Sequence, residues 1–246
     1  MQYFCKIRYL GQYFSGYQVQ PEVRTVQGAL NKAAREIFGV DCAVTGCSRT
    51  DRGVHAECFC LTLRLPDGRL PIPPEKLPRV MQTALPTDVS LYYAAPIDDA
   101  FHARYDVRSK TYEYRIMNTA LIDPFLYGRV WFVGYPLDVI QMNRAAGYFT
   151  GTHDFSAFMA QGSHVKSTVR TIFESAVTEN NGMVTFRVTG DGFLYNMVRI
   201  MTGTLFSVGT GKRAAEDIPD IIASKKRVDA GETVPPDGLY LTDVVY

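Results

Sequence analysis

The order of strand and helix patterns constrains the fold of this 246-residue chain more than any other feature of its sequence. Apolar residues recur at helical spacing in 25–38 and alternate with polar residues in 57–65. The elements predicted for the first part are, in order, a strand at 3–10, a helix at 25–38, strands at 42–47 and 57–65, a helix at 74–84 and a strand at 90–95. The order β-α-β-β-α-β is typical of a ferredoxin-like unit.

The same kinds of pattern return in the second part of the chain. The elements predicted there are a strand at 110–117, a helix at 137–149, strands at 167–177 and 183–189, a helix at 193–208 and a strand at 240–246. Gly203 on the last helix would let another backbone approach closely. We therefore predict an α+β fold of two ferredoxin-like halves, residues 1–100 and 101–246. Their antiparallel sheets are expected to fuse into one central sheet, which buries the sheet edges.

Composition allows an ordinary globular protein, because 46% of the residues are hydrophobic and 21% are charged. No apolar stretch approaches the roughly 20 residues that a membrane-spanning helix needs. The first residues lack the layout of a signal peptide. We therefore expect a cytoplasmic protein without membrane association. The net charge of +1 permits RNA binding but does not by itself indicate it.

The five cysteines do not form a metal-binding pattern. Their odd number and irregular spacing fit a reducing compartment, and no Cys-x-x-Cys pair is present. Cys58 and Cys60 share one face of a predicted strand, where we expect them to be small buried side chains. No metal site is therefore predicted.

Chemistry is concentrated in residues 45–56, which join two predicted strands. A single carboxylate, Asp51, lies there with Arg49, Arg52 and His55, and Gly53 would permit a positive φ. A carboxylate beside an arginine stays ionised and can act as a nucleophile or stabilise a sugar cation. The alternative is an ordinary hairpin loop with solvated arginines, because Asp and Gly are common turn residues.

Residues 48–56 read Ser-Arg-Thr-Asp-Arg-Gly-Val-His-Ala, which resembles the Gly-Arg-Thr-Asp-x-Gly-Val-His-Ala signature of the TruA family of tRNA pseudouridine synthases. Further stretches similar to family motifs follow in the family's order, at 9–20, 101–104, 110–114, 192–199 and 236–241. The chain departs from the pattern at Leu10, Tyr17 and Ser48, where the family usually has Asp, Trp and Gly. The first two departures concern contacts with RNA near the N-terminus.

The resemblance implies an isomerase that converts uridine to pseudouridine in tRNA, on the 3′ side of the anticodon stem-loop at tRNA positions 38 to 40. Asp51 would be the attacking carboxylate, and no cofactor or metal would be needed. Attack on C1′, addition to the base, and a route through a glycal all remain open. The resemblance also implies a homodimer in which one tRNA contacts both subunits.

The resemblance assigns four further residues to substrate binding. Arg49 would manage the flipped nucleotide, Tyr112 would stack on the target base, and Arg199 would pair with Asp51. Leu239 would form an apolar wall under the uracil. The alternatives are that Arg49 is a solvated loop residue and that Tyr112 and Leu239 belong to the core, as Tyr114 does.

Two other classes of function compete with this interpretation. A non-catalytic RNA-binding protein would have no need for Asp51, and it would be expected to expose aromatic side chains on a sheet face. A glycosidase-like hydrolase would need two catalytic carboxylates, whereas only Asp51 stands in a strong motif. We therefore predict the isomerase.

Overall fold

The structure is a computed structural model that describes residues 1–162 and 165–246, and the chain forms two compact units. Unit 1 comprises Met1–Arg108 and Tyr240–Tyr246, and unit 2 comprises Ser109–Leu239. Each unit contains helices and a sheet, so the predicted α+β class is confirmed.

Unit 1 contains the predicted β-α-β-β-α-β series. Its elements are β1 (Gln2–Tyr9), α1 (Val26–Phe38), β2 (Ala43–Gly46), β3 (His55–Arg64), α2 (Leu77–Gln82), β4 (Val89–Ile97) and, from the chain end, β10 (Leu239–Val245), whose first residue belongs to unit 2. The strands lie in the order β4-β1-β3, and β2 pairs antiparallel with the end of β3. A short 3₁₀ turn at Pro74–Lys76 replaces the first turn of the second predicted helix.

The sheets are antiparallel as predicted, except where β10 pairs with β3 and a short strand at Trp131–Phe132 pairs with a strand of unit 2. β10 runs parallel to β3, with Tyr240 opposite His55 and Leu241 opposite Ala56. Only a short hairpin connection imposes antiparallel pairing, whereas parallel strands need a long connection. The whole of unit 2 separates β10 from the strands of unit 1 along the chain, so its direction was not fixed by a turn.

The core of unit 1 follows from strand alternation. Phe59 and Leu61 of β3 are buried on one face, where Tyr17 stacks on Phe59 at 4.3 Å between ring centroids. Cys58 and Cys60 lie on the opposite face and are 8% and 0% exposed. The prediction that these cysteines are small buried side chains is confirmed.

Helix α1 shows why its predicted bounds were accurate. The hydroxyl of Thr25 accepts a hydrogen bond from the amide of Gly28 at 3.2 Å and caps the first turn. Gly39 ends the helix in the left-handed conformation with φ of +70°. Val26 and Leu30 are buried on the inner face, as their spacing predicts.

In its described residues, unit 2 contains a sheet with the strand order β5-β9-β8-β7 and three α-helices. Its elements are β5 (Ser109–Met117), β6 (Trp131–Phe132), α3 (Val139–Gly147), β7 (Gly151–Asp154), β8 (Val169–Asn180), β9 (Met183–Gly190), α4 (Met197–Gly209) and α5 (Ile218–Ser224). β6 pairs parallel with β5. The strands β6 and β7 and the helix α5 are not among the elements predicted from the sequence.

Helix α4 begins four residues later than predicted. Asn196 precedes it in the left-handed conformation, with φ of 58°, which a right-handed helix cannot accommodate. Phe193 therefore lies before the helix rather than on its apolar face. The apolar residues keep their helical spacing back to Phe193, but the helical backbone begins only at Met197.

The close approach predicted at Gly203 is confirmed. A Cβ atom added to Gly203 would lie 1.9 Å from the carbonyl oxygen of Glu232, and one added to Gly231 would lie 2.4 Å from the backbone of Gly203. The amide of Gly231 also donates to the hydroxyl of Thr204 at 2.8 Å. Segment 231–235 is thereby held against α4 by backbone contact.

Among the residues that the structure describes, the helices are all too short or too polar to cross a membrane.

Gly203→Ala should lower the free energy of unfolding by about 1–3 kcal/mol. The added methyl group would overlap a backbone oxygen that cannot rotate away. Gly147→Ala is the matched control, since a Cβ atom at the end of α3 meets nothing within 4 Å. Urea denaturation followed by circular dichroism measures both. Equal stability of the two variants would contradict the close packing of α4.

Candidate active site

Asp51 lies in a tight turn between β2 and β3 of unit 1. The amide of Cys47 donates to the carbonyl of Cys60 at 2.8 Å and extends the β2–β3 pairing by one residue. The amide of Val54 donates to the carbonyl of Asp51 at 3.2 Å, which closes a four-residue turn. Gly53 has the predicted positive φ, +83°. Asp51 is half-buried.

The segment that follows β1 holds this turn by backbone hydrogen bonds. The amide of Tyr17 donates to the carbonyl of Thr50 at 3.1 Å, and the amide of Gly53 donates to the carbonyl of Phe14 at 3.3 Å. The bonds grip the turn on both sides of Asp51. These main-chain contacts set the backbone position of Asp51.

Two glycines make this contact possible. A Cβ atom on Gly11 would lie 2.0 Å from the carbonyl oxygen of Val54, and one on Gly16 would lie 2.8 Å from the carbonyl oxygen of Thr50. Gly16 also has a φ of +90°, a conformation that other residues rarely adopt. Neither glycine was predicted from the sequence to be a site residue. The only sequence signal for a role of these glycines was their place in the family motif at 9–20.

Buried side chains fix the residues on either side of Asp51. The hydroxyls of Tyr9 and Thr50 form a hydrogen bond of 2.8 Å. His55 is fully buried, its Nδ1 accepts from the amide of Gly11 at 3.0 Å, and its ring stacks on Tyr240 at 4.6 Å. An Nδ1 that accepts places the imidazole hydrogen on Nε2. His55 thus positions the start of β3.

Tyr17, where the chain departs from the family pattern, is a residue whose side chain packs in the core. Tyr17 is only 3% exposed, its ring lies on Phe59, and its edge lies against the backbone of Gly46. Burial raises the pKa of the Tyr17 hydroxyl, so the side chain stays neutral. The Tyr17 ring is therefore part of the core of unit 1.

In contrast to the buried turn, the side chains of Arg49 and Arg52 are exposed. Arg49 is therefore accessible to a partner, as both its predicted role and the solvated alternative require. Thr50, Gly53 and Val54 are buried, which an ordinary solvated hairpin loop would not need.

In unit 2, Tyr112 lies on β5 opposite Val188 of β9 and is 6% exposed. Its ring meets Phe193 edge to face, with 5.1 Å between centroids. This aromatic contact comes from the 192–199 motif and orients the phenol ring. The contact is compatible with both of the predicted roles, core residue and base-stacking residue.

Arg199 is held by two hydrogen bonds in the first turn of α4. Its Nε donates to the carbonyl of Val234 at 2.8 Å, and its Nη1 donates to Oδ1 of Asn196 at 2.9 Å. A guanidinium has five N–H groups, so three remain beyond these two bonds. The planar group is fixed in orientation and can still grip a carboxylate.

Tyr114 of β5 also holds segment 231–235. Its hydroxyl donates to the carbonyl of Pro235 at 2.7 Å, next to the Val234 carbonyl that Arg199 binds. Burial raises the pKa of Tyr114 well above its usual range, so the hydroxyl remains a donor. Tyr114 is fully buried, which confirms that it belongs to the core.

Leu239 closes this segment and is 6% exposed. The preceding Gly238 lies so close to β5 that an added Cβ atom would be 2.6 Å from the carbonyl oxygen of Arg115. Leu239 is therefore placed by backbone packing, and its role as an apolar wall stays a prediction.

Within residues 1–162 and 165–246, no group of three or more His, Cys, Asp or Glu side chains is arranged to hold a metal ion.

Comparison with known proteins identifies the family. A family model described as tRNA pseudouridine synthase matches residues 7–106 and 145–246. The tRNA pseudouridine synthase A of Thermoanaerobacter sp. (strain X514) is 41% identical over 240 residues, which cover 98% of this chain and 97% of that protein. The protein of the same name from Halalkalibacterium halodurans is 43% identical over 235 residues, 95% of this chain and 88% of that protein.

The chain therefore belongs to the TruA family of tRNA pseudouridine synthases, isomerases that convert uridine to pseudouridine. The resemblance stated from the motifs is confirmed. A solved structure of a Cbf5-Nop10-Gar1 complex matches 83% of this chain and 54% of its own with a TM-score of 0.34 and 13% identity, which is too weak to carry a conclusion.

Gly16→Ala should reduce kcat at least about tenfold, because the new methyl group would push the Thr50 carbonyl and displace the neighbouring Asp51. Gly39→Ala is the control, since Gly39 also has a positive φ but its Cβ atom would meet nothing within 4 Å. Both variants should lose about 1–2 kcal/mol of stability from the left-handed backbone. Equal kcat values for the two variants, measured well below their melting temperatures, would refute this role of Gly16.

Proposed function

We propose that this enzyme isomerises uridines on the 3′ side of the tRNA anticodon stem-loop, at tRNA positions 38 to 40, and that Asp51 is its attacking carboxylate. Family membership supports the reaction and the tRNA substrate. The assignment of Asp51 rests on one observation: backbone hydrogen bonds hold the turn that contains it, and most of the neighbouring residues of that turn are buried.

The reaction demands a carboxylate in a defined position. The N1–C1′ bond breaks, the uracil turns, a C5–C1′ bond forms, and the C5 hydrogen leaves while N1 gains one. An ionised carboxylate beside the glycosidic bond serves every route considered for this chemistry. Hydrogen bonds on both sides of Asp51 hold its backbone, and such positioning contributes strongly to rate.

The other predicted residues take supporting roles in this proposal. The exposed Arg49 fills the space of the flipped uridine or holds that nucleotide. Arg199 pairs with the Asp51 carboxylate and keeps it ionised, using N–H groups that its bonds to Val234 and Asn196 leave over. Tyr112 stacks on the base and Leu239 supplies an apolar wall.

We further propose that the enzyme is a cytoplasmic homodimer in which one tRNA contacts both subunits. The halves 1–100 and 101–246 would each contribute to the active-site cleft, the first through Asp51 and the second through Tyr112 and Arg199. No cofactor takes part in the proposed reaction.

Asp51→Ala should abolish pseudouridine formation, lowering the rate by at least about 10⁴-fold, the order observed when an enzyme loses its nucleophile. The backbone hydrogen bonds that hold the turn are retained in this variant, so the fold should be kept and the Kd for unmodified tRNA should be almost unchanged. Rates are measured with unmodified tRNA under single-turnover conditions. Asp41→Ala is the control, because Asp41 is an exposed carboxylate of the same unit that pairs with exposed Arg35. A rate near that of wild type for Asp51→Ala would exclude Asp51 as the attacking group.

Arg199→Gln should lower kcat and move the acidic limb of the pH profile to higher pH, because a carboxylate that loses its cationic partner binds a proton more readily. Arg199→Lys keeps the charge but cannot reproduce the fork that bonds Val234 and Asn196. It should therefore lower kcat without moving the limb. If the two variants show the same pH profile, Arg199 acts through packing alone and the proposed pairing with Asp51 is wrong.

A further inference from the structure

A groove of about 240 Å³ opens in unit 1 beside the Asp51 turn. One wall comes from the end of β2 and the start of the turn, through Gly46, Ser48 and Arg49. The facing wall comes from His102, Arg104 and Tyr105, in the segment that follows β4. Arg49 is two residues from Asp51 along the chain, so the groove lies close to the Asp51 turn.

The groove is lined by cations without carboxylates. Arg49 and Arg104 both line it, and its remaining lining residues are polar, aromatic or aliphatic and include no Asp or Glu. Neither arginine forms an ion pair within the described part of the chain. Arg24 of the same unit shows the opposite case, because Asp88 binds it through both carboxylate oxygens at 2.8 Å. Unpaired arginines in a groove favour an anionic ligand such as a phosphate.

The facing wall presents an ordered aromatic surface. The rings of His102 and Tyr105 lie 4.2 Å apart with an angle of 31° between their planes. Nδ1 of His102 accepts from the amides of Arg104 and Tyr105, and the carboxylate of Asp106 accepts from the amide of His102. The turn is thus fixed by its own hydrogen bonds. Tyr105 is 74% exposed, and an exposed ring on a rigid turn is suited to stacking on a base.

The floor of the groove contains a polar atom that lacks a partner. The hydroxyl of Tyr17, which lines the groove, is buried and has no hydrogen-bond partner among the residues that the structure describes. It lies against Gly46, where an added Cβ atom would approach it to 2.7 Å. A buried hydroxyl without a partner costs free energy that a ligand atom can recover.

We propose that this groove binds one nucleotide of the tRNA next to the target uridine. Arg104 binds its phosphate beside Arg49, and the His102–Tyr105 pair stacks on its base. The volume is below the roughly 300–1000 Å³ of most ligand clefts, so it takes a single nucleotide rather than a longer segment. The inference rests on the proposed function, because it assumes that tRNA is the substrate.

Three groove variants test the proposal, with kcat and KM for unmodified tRNA measured over a series of salt concentrations. Arg104→Ala should raise KM about tenfold, leave kcat within about twofold, and reduce the slope of log KM against log salt by about one. Tyr105→Ala should raise KM by a similar factor, and Tyr105→Phe should restore it because the ring remains. Arg69→Ala is the matched control, since Arg69 is an exposed arginine of the same unit outside the groove.

The outcomes separate this proposal from the proposed function. If the wild-type enzyme forms pseudouridine but Arg104→Ala and Tyr105→Ala keep the wild-type KM and salt slope, the groove does not bind tRNA and the inference is overturned. It is also overturned if Tyr105→Phe is as impaired as Tyr105→Ala, because stacking would not explain the effect. If the wild-type enzyme forms no pseudouridine in tRNA, the proposed function itself fails.

Discussion

Main-chain contact between two loops of unit 1 determines where Asp51 lies. The loop after β1 lies against the Asp51 turn at distances that leave no room for a side chain at Gly11, where an added Cβ atom would be 2.0 Å from the Val54 carbonyl oxygen. Hydrogen bonds from Tyr17 to Thr50 and from Gly53 to Phe14 then join the two loops. Because all of these contacts are made by the backbone, they fix the main chain on both sides of Asp51 and so set where its carboxylate is presented.

In unit 2, close backbone contact through glycine also supports the region around Arg199. Gly203 and Gly231 allow segment 231–235 to touch α4, and the carbonyls of Val234 and Pro235 then accept from Arg199 and Tyr114. The buried phenol and the guanidinium thus hold one segment from two sides. In both units a residue with a predicted role in the reaction is supported by neighbouring backbone that packs through glycine.

Much of the fold follows from periodicity, and the exceptions have physical causes. Strands and helices with several apolar residues on one face, such as α1 and β3, lie where their spacing predicts. The start of α4 was missed because Asn196 is left-handed although the apolar spacing continues through it. The parallel direction of β10 follows from a long connection, which leaves no local pattern in the sequence.

The site could be predicted only in part, and mainly through the ordered motifs. Taken alone, Asp51 is one turn residue among many, and its chemistry was suggested by a match to a family signature. The exposed Arg49 and the buried Tyr114 agree with their alternation and loop positions. The glycine contacts and the groove beside Asp51 depend on which loops meet in space, which no local sequence pattern reveals.

The most direct test of the central claim is to incubate the wild-type protein with unmodified tRNA and map pseudouridine at nucleotide resolution. We expect pseudouridine on the 3′ side of the anticodon stem-loop, and none when the isosteric Asp51→Asn variant replaces the wild type. Pseudouridine formed elsewhere in the tRNA would contradict the proposed target, and modification by Asp51→Asn at the wild-type rate would contradict the role of the carboxylate.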